Sequence, residues 1–342
     1  MITGDDISAP LPDLGWSAFF SEQIAPEEAD LVPARVTSVH RARIRALSAE
    51  GPVEPVLPPQ TWTSEFAVGD FVLLEPGTAL VRRRLDRRSV VERRVSGSDI
   101  PQLAGANIDT LFIVTSCNAD FNPARLERYL ALANKAGTTP VILLTKADLT
   151  EDLPAFEEQA RALQRGLDVV VIHPKSQAAI AALARWCIPG STAAVVGSSG
   201  VGKSTLVNTL LGEAHAAPQE TGSVREHDAK GRHTTTARSL HRMAGGGWIL
   251  DSPGIRSLQI SDVGDGLDTL FAEITELAPL CRFRACSHTH EPGCAVLAAV
   301  AAGEIDPRRL ERWRKLSAEN AGQAAAGAKR SGGAGPAHRR RR

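Results

Sequence analysis

The chain has 342 residues, 43% of them hydrophobic, and Lys plus Arg equals Asp plus Glu at 39 each. That length allows two or three domains with ordinary cores and excludes a disordered chain. A formal net charge of zero excludes any whole-chain charge argument for nucleic acid, so the distribution of charge has to decide.

Residues 1–31 form an acidic N-terminal extension carrying Asp5, Asp6, Asp13, Glu22, Glu27, Glu28 and Asp30. Its start, MITGDDISAP, lacks the apolar core of a signal peptide, and no run approaches the roughly 18 apolar residues of a membrane span. A cytoplasmic protein with no membrane association is expected. From 32 to 95, alternating segments such as ARVTSVHRARIRAL and DFVLLEPGTALVRR are punctuated by Gly51, Pro52, Pro58, Pro59, Gly69 and Gly77. This texture predicts a small β-barrel of the OB type, an architecture often used for oligonucleotides, though fold does not prove function. Seven arginines between Val81 and Arg94 face only Asp86 and Glu92, a basic patch suited to phosphate backbones or else plain solvated surface.

From 100 to 264 the apolar runs IDTLFIVTS, PVILLTK, DVVVIH, TAAVVGSS and GWILDSPG alternate with amphipathic stretches such as PARLERYLALANKAG and EEQARALQRG. The pattern predicts an α/β sheet covered on both faces, with ligands at the carboxyl ends of its strands. PVILLTK ends in Thr145, Lys146, Ala147 and Asp148, a match to the [NT]KxD signature of GTPases. A carboxylate there accepts both N1–H and the exocyclic N2–H of guanine, whereas adenine offers no such donor pair, and a site built this way rejects the wrong base. Lys146 is expected to lie along the ring. Alone the string is weak, since an Asp after a strand is often a helix cap. The loop after DVVVIH, His173 to Ser176, takes the place of the second guanine-contacting loop, without the usual Ser-Ala pair.

Further on, AVVGSSGVGKSTLVNTLL carries Gly197, Ser198, Ser199, Gly200, Val201, Gly202, Lys203, Ser204 and Thr205 between a strand and a helix. This is a P-loop in its required context. Its glycines let backbone N–H groups turn inward around phosphates, and the helix N-terminus favours negative charge. Lys203 reaches the β and γ phosphates and Ser204 holds Mg²⁺. Together with Asp148 the loop specifies GTP/GDP, and because Asp148 precedes Gly197 the motif order is circularly permuted.

GWILDSPGIRS then gives Asp251 and Gly254 of a DxxG motif, Asp251 for Mg²⁺ through water and the Gly254 N–H for the γ phosphate. Upstream, GRHTTTARSL supplies Thr235 as the switch residue closing over Mg²⁺. Ile255 stands where Ras-like proteins carry the water-orienting Gln, so His233 is the candidate to orient or activate water, a packing or RNA-contact role being the alternative.

Residues 265–320 hold CRFRACSHTHEPGC. Cys281, Cys286, His288 and Cys294 make a C-x4-C-x-H-x5-C set that fits one closed tetrahedral Zn²⁺ site of structural type, with His290 as rival fourth ligand. Cys117 and Cys187 read as buried small hydrophobes. A helix is expected from Pro307 to Asn320, followed by a disordered basic tail over 321–342.

TKAD, GSSGVGKST, HTTT, DSPG and the Cys/Cys/His/Cys cluster, in this order, closely resemble the small ribosomal subunit biogenesis GTPase family known as RsgA or YjeQ. The resemblance runs from the β-barrel near Val32 to the helix ending near Asn320. It implies an N-terminal OB barrel, a circularly permuted P-loop GTPase domain and a mostly helical C-terminal zinc-binding domain. It further implies GTP hydrolysis stimulated by the small ribosomal subunit during late maturation, with rRNA binding and nucleotide-dependent release. The Arg-rich tail and the loop at His173 depart from the family pattern. Two other readings stand beside it: a P-loop ATPase or kinase, and an RNA-binding module that uses GTP as a structural ligand. Nothing in the sequence points to a dimer, so a monomer is the default.

Overall fold

The computed structural model describes residues 9–93, 102–212, 238–251 and 264–331. The N-terminal segment contributes a 3-10 turn, Leu11–Leu14, and a short helix α1 (Ala18–Ser21). Five strands follow: β1 (Val32–Val39), β2 (Ile44–Ser48), β3 (Gly51–Val53), β4 (Phe71–Leu74) and β5 (Val81–Arg84). They pair in the order β3-β2-β1-β4-β5, all antiparallel. A parallel bridge between Val56 and Leu80 joins the chain beyond β3 to the chain entering β5, which closes the circuit of a partly open OB barrel. The two-residue period of β1 sends Ala34 and Val36 inward to Ile44, Ala46, Phe66, Val72 and Val81. Its opposite face carries Arg35, which is also buried.

A hairpin of β6 (Val90–Arg93) and β7 (Gln102–Ala106) leads to the second sheet. That sheet comprises β8 (Thr110–Ser116), β9 (Thr139–Thr145), β10 (Asp168–Val171), β11 (Thr192–Gly197), β12 (Arg238–Arg242) and β13 (Trp248–Asp251). Its order is β10-β9-β8-β11-β13-β12, parallel except for β12. Leu111, Ile113, Ile142, Leu144, Ala194 and Val196 face helix α2 (Pro123–Ala136) through Leu126, Leu130 and Ala133. The alternate residues Phe112, Val114, Val141, Leu143 and Val195 face α4 (Gln177–Leu183) and α5 (Lys203–Leu211) through Leu183, Leu206 and Leu210. Both faces being covered is why these strands read as unbroken apolar runs. Helix α2 starts where the Asn122 side chain accepts from the Arg125 N–H and Pro123 occupies the first turn, and it stops at Gly137, whose φ of 73° few other residues adopt. The remaining sheet-associated helix is α3 (Leu153–Arg161).

The permutation is visible in this topology. The P-loop strand β11 is central, yet β8, β9 and β10 on one side of it come earlier in the chain and β12 and β13 on the other side come later.

Three junctions fix the parts together. Strand β12 pairs with β1, Ser38 opposite Ser239 and Val39 opposite Arg238, so barrel and α/β sheet are continuous. Arg35 donates to the Leu14 carbonyl at 2.6 Å, to the Thr192 hydroxyl at 2.7 Å and to the Asn107 carbonyl at 3.2 Å. Burial lowers its pKa to about 10. The C-terminal unit comprises helices α6 (Gly264–Leu270), α7 (Ala272–Thr275), α8 (Ala295–Ala301) and α9 (Pro307–Ser331), of which α6 packs on α2 and α9 on α6. There Glu127, fully buried, accepts from Arg309 at 2.7 Å and from Arg312 at 2.8 Å. Helix α9 continues well past the expected end at Asn320, because the Ala-rich run after it has the highest intrinsic helix propensity. No helix among the described residues is long and apolar enough to cross a membrane.

Candidate nucleotide and metal sites

The P-loop leaves β11 at Gly197, whose φ of 140° and whose approach to β8 exclude a side chain: a Cβ there would lie 2.2 Å from the Val114 carbonyl oxygen. Gly202, at φ 98°, caps α5, and a Cβ on it would lie 3.1 Å from the Pro174 ring. The backbone between them is thus free to curl with N–H groups inward, ahead of a helix N-terminus. Lys203 is buried, and its ammonium donates to the Ser198 carbonyl across the loop. These features fit a nucleotide's phosphates: a glycine-lined backbone cradle, a helix N-terminus and a cation folded back over the space between.

The guanine-type motif sits beside this loop. Thr145, fully buried at the end of β9, donates to the Val201 carbonyl at 2.8 Å and lies 3.1 Å from the Thr115 carbonyl oxygen. Its hydroxyl thus ties the end of β9 to β8 and to the P-loop. Lys146 has a left-handed backbone, φ 55°, a conformation costing a non-glycine residue about 1 kcal/mol. It turns the chain sharply out of the strand into the 3-10 turn Ala147–Leu149. The exposed Asp148 carboxylate comes 3.8 Å from His173 Nε2, so the loop after β10 is its neighbour. That loop is anchored in turn to α5, where the Thr209 hydroxyl donates to the Pro174 carbonyl at 2.6 Å. Asp148 beside His173, Thr209 of α5 on the Pro174 carbonyl, and Thr145 on the Val201 carbonyl bring the TKAD motif and the P-loop to one place although they stand far apart in sequence. Pro174 falls in the loop singled out from the sequence, but Thr209 belongs to no motif, so their contact had no sequence signal.

Asp251 ends β13, the strand hydrogen-bonded to β11. His233, Thr235 and Gly254 lie outside the described residues.

Cys281, Cys286, His288 and Cys294 converge, with their donor atoms all within 4.8 Å of one another. Cys281 Sγ lies 3.8 Å from Cys294 Sγ, and His288 Nδ1 lies 3.5 Å from Cys281 Sγ and 3.3 Å from Cys294 Sγ. A tetrahedron with metal–sulfur bonds of about 2.3 Å has edges of about 3.8 Å, so three thiols and an imidazole at these separations fit zinc. His288 has a left-handed backbone, φ 54°, is buried against the Trp313 ring, and offers its carbonyl to Arg314. Burial lowers its pKa, which keeps the imidazole neutral and able to ligate. Burial also pushes the Cys286 thiol up to about 11. At Cys281 burial acts the same way but is outweighed by N–H groups of Ala295 and Val296, and the net shift is downward. His290 is exposed and outside the cluster, which leaves His288 as the fourth donor.

The model of the RsgA GTPase family matches residues 84–261. The chain is 66% identical over 313 residues to the small ribosomal subunit biogenesis GTPase RsgA of Mesorhizobium japonicum, covering 92% of this chain and 90% of that one. This chain belongs to the RsgA GTPase family. Among solved structures, YjeQ from Thermotoga maritima superposes with a TM-score of 0.62 at 24% identity, covering 84% of this chain and 97% of that chain. YloQ, described as a circularly permuted GTPase, superposes at 0.59 and 21%, covering 92% and 100%. At those identities the superpositions establish the fold alone, and the fold agrees with the permuted strand order. As a member of the RsgA family the protein is a GTPase, and membership implies a guanine nucleotide with Mg²⁺. The Cys/His cluster of this RsgA-family chain is compatible with zinc.

Proposed function

We propose that this GTPase acts in the biogenesis of the small ribosomal subunit, hydrolysing GTP when bound to that subunit and its rRNA, and that it works in the cytoplasm as a monomer. The observation carrying the reading is the seating of the TKAD motif on the P-loop, through Thr145 on the Val201 carbonyl and Asp148 beside a His173 loop held to α5, in a protein two-thirds identical to one named for that process. In this reading Asp148 accepts from the guanine edge and Lys146 lies along the ring. Residues Gly197 to Thr205 wrap the phosphates, with Lys203 moving from the Ser198 carbonyl to the β and γ oxygens. Ser204, and Asp251 through water, would hold Mg²⁺, which would supply charge neutralisation for phosphoryl transfer. Thr235 closes over the metal, the Gly254 N–H senses the γ phosphate, and His233 orients the attacking water. One Zn²⁺ at Cys281, Cys286, His288 and Cys294 stiffens the C-terminal unit and has no open ligand position for chemistry.

The junctions support a mechanical output. Strand β12, which follows the segment holding Thr235, pairs with β1 of the barrel. Helix α6, which follows the segment holding Gly254, packs so closely on α2 that a Cβ on Gly266 would lie 1.9 Å from the Ala131 carbonyl oxygen. Nucleotide state therefore has a path to the barrel and another to the zinc unit, and GTP sets the two as a clamp on rRNA that hydrolysis loosens. GTP turnover with and without purified small subunits tests the function, and subunit affinity with GDP against a non-hydrolysable GTP analogue tests the clamp. Turnover indifferent to subunits would overturn the first, and equal affinities the second.

A further inference from the structure

Trp62, between β3 and β4, is 71% exposed, more than any other large hydrophobic side chain among the described residues. An indole left in water in this way offers a free π face. The residue is nevertheless held in place. Its backbone N–H donates to Glu65 Oε1 at 2.7 Å, and the next residue, Thr63, donates through its hydroxyl to the Arg41 carbonyl at 3.2 Å. The turn bearing Trp62 is thereby fastened to the β1–β2 connection, and the two enclose a cavity of about 450 Å³.

The lining is chemically one-sided. Val56, Leu57 and Pro58 give it an apolar wall beside the indole, and Arg41 and Arg43 supply positive charge. Arg43 lies 3.2 Å from Glu54, a carboxylate that also pairs with Arg45 and lines no part of the cavity. Arg41 makes no ion pair among the described residues, and no acidic residue lines the cavity. An aromatic face, an apolar wall and the Arg41 guanidinium, beside an Arg43 that shares Glu54 with Arg45, together match an unpaired nucleotide, whose base stacks while its phosphate neutralises charge. A purely apolar partner would bury Arg41 without a counter-charge, at a cost in desolvation.

We infer that this cavity is a docking site for a single unpaired RNA base, stacked on Trp62 with its flanking phosphate on Arg41 and Arg43. That the polymer is RNA rests on the proposed action at the small subunit; the stacking geometry rests on the cavity itself.

The test uses the full chain and fluorescence anisotropy with two probes, a single-stranded oligoribonucleotide and an abasic ribose-phosphate oligomer of equal length. The wild type should bind the oligoribonucleotide more tightly than the abasic probe. Trp62→Ala should weaken RNA binding about tenfold and abolish the preference for bases, while Trp62→Phe retains most of both. Arg41→Ala should reduce the slope of log affinity against log salt by about 0.7. Equal binding of the two probes by the wild type, unchanged affinity in Trp62→Ala, or competition by an acidic peptide in place of RNA would overturn the inference. Small-subunit stimulation of GTP turnover is measured on the same samples. An unstimulated wild type defeats the functional reading, whereas a stimulated wild type alongside a Trp62→Ala variant that binds RNA as tightly as the wild type defeats only the stacking site.

Discussion

The Thr145 hydroxyl donates to the Val201 carbonyl at 2.8 Å, joining the end of β9 to the P-loop. The bond lies in a fully buried position, where an unmet acceptor costs about 1–3 kcal/mol. Thr145→Val preserves the branched shape and removes the donor, so it should lower the melting temperature by several degrees and weaken GDP binding severalfold. Thr145→Ser should restore both. Thermal melts and GDP titrations check this, and a Val variant binding GDP like the wild type would mean that the loops keep their relation without the bond.

In the proposed reading, base choice turns on Asp148. Guanine presents N1–H and N2–H donors, which a carboxylate accepts, whereas xanthine has a carbonyl in place of the amino group. Asp148→Asn converts one acceptor to a donor and should move preference from GTP toward XTP by at least tenfold, since mismatched polar groups in a binding site are penalised strongly. Competition of GTP and XTP for the labelled nucleotide site decides it. A variant that loses all nucleotides equally, while remaining folded, would assign Asp148 to structure and not to recognition.

The motif residues were legible because each needs a fixed neighbourhood in sequence: the P-loop requires strand, glycines and helix in immediate succession, and the Cys/Cys/His/Cys set falls within fourteen positions from Cys281 to Cys294. The barrel and the doubly covered sheet were legible from apolar periodicity. What sequence could not supply were contacts that depend on how separate units meet. Arg35 reads as the polar member of an alternating strand, yet it is buried because the barrel's outer face docks on Leu14, Asn107 and Thr192. Glu127 reads as a surface residue of an amphipathic helix until α9 covers it. The helical reach to Ser331 was masked by glycines within an Ala-rich run, where composition suggested a disordered tail and propensity favoured a helix.

Removal of the metal has a chemical signature. The chain has five cysteines, three in the cluster and two, Cys117 and Cys187, buried elsewhere. Burial raises the pKa of both, to about 12 at Cys187, so neither forms thiolate near neutral pH and neither is accessible. With zinc bound, alkylation of the native protein should be slow at all five. Chelation should release one metal ion per chain and open the three cluster thiols to alkylation, Cys286 the slowest because burial holds its thiol up to about 11, and only denaturation should expose five. Mass spectrometry after brief alkylation counts them. Melting temperature should fall on chelation, because the metal links Cys294, whose sulfur caps α8 at the Leu297 N–H, to the turn holding Cys281.

Glu127 and its two arginines hold the C-terminal unit on α2. Arg309 bridges Glu127 and Glu273, donates to the Leu270 carbonyl at 2.7 Å and stacks 4.2 Å over the Phe271 ring. Removing the charge of Glu127 takes from the nearly buried Arg309 the buried one of its two carboxylate partners and from Arg312 its ion pair, which costs about 3 kcal/mol. Glu127→Gln should therefore destabilise strongly in urea unfolding. Replacing Glu127 and Arg309 with apolar residues, Glu127→Leu with Arg309→Met, should recover part of the loss, because the two groups then left without a partner, Glu273 and Arg312, are partly exposed and can be solvated. The pair separates two uses of the network. If the double variant regains stability and also retains subunit-stimulated GTP turnover, the ion pair serves only to seat the C-terminal unit. Regained stability with lost stimulation would mean that hydrogen-bonded registry between α2 and α9 carries the nucleotide signal.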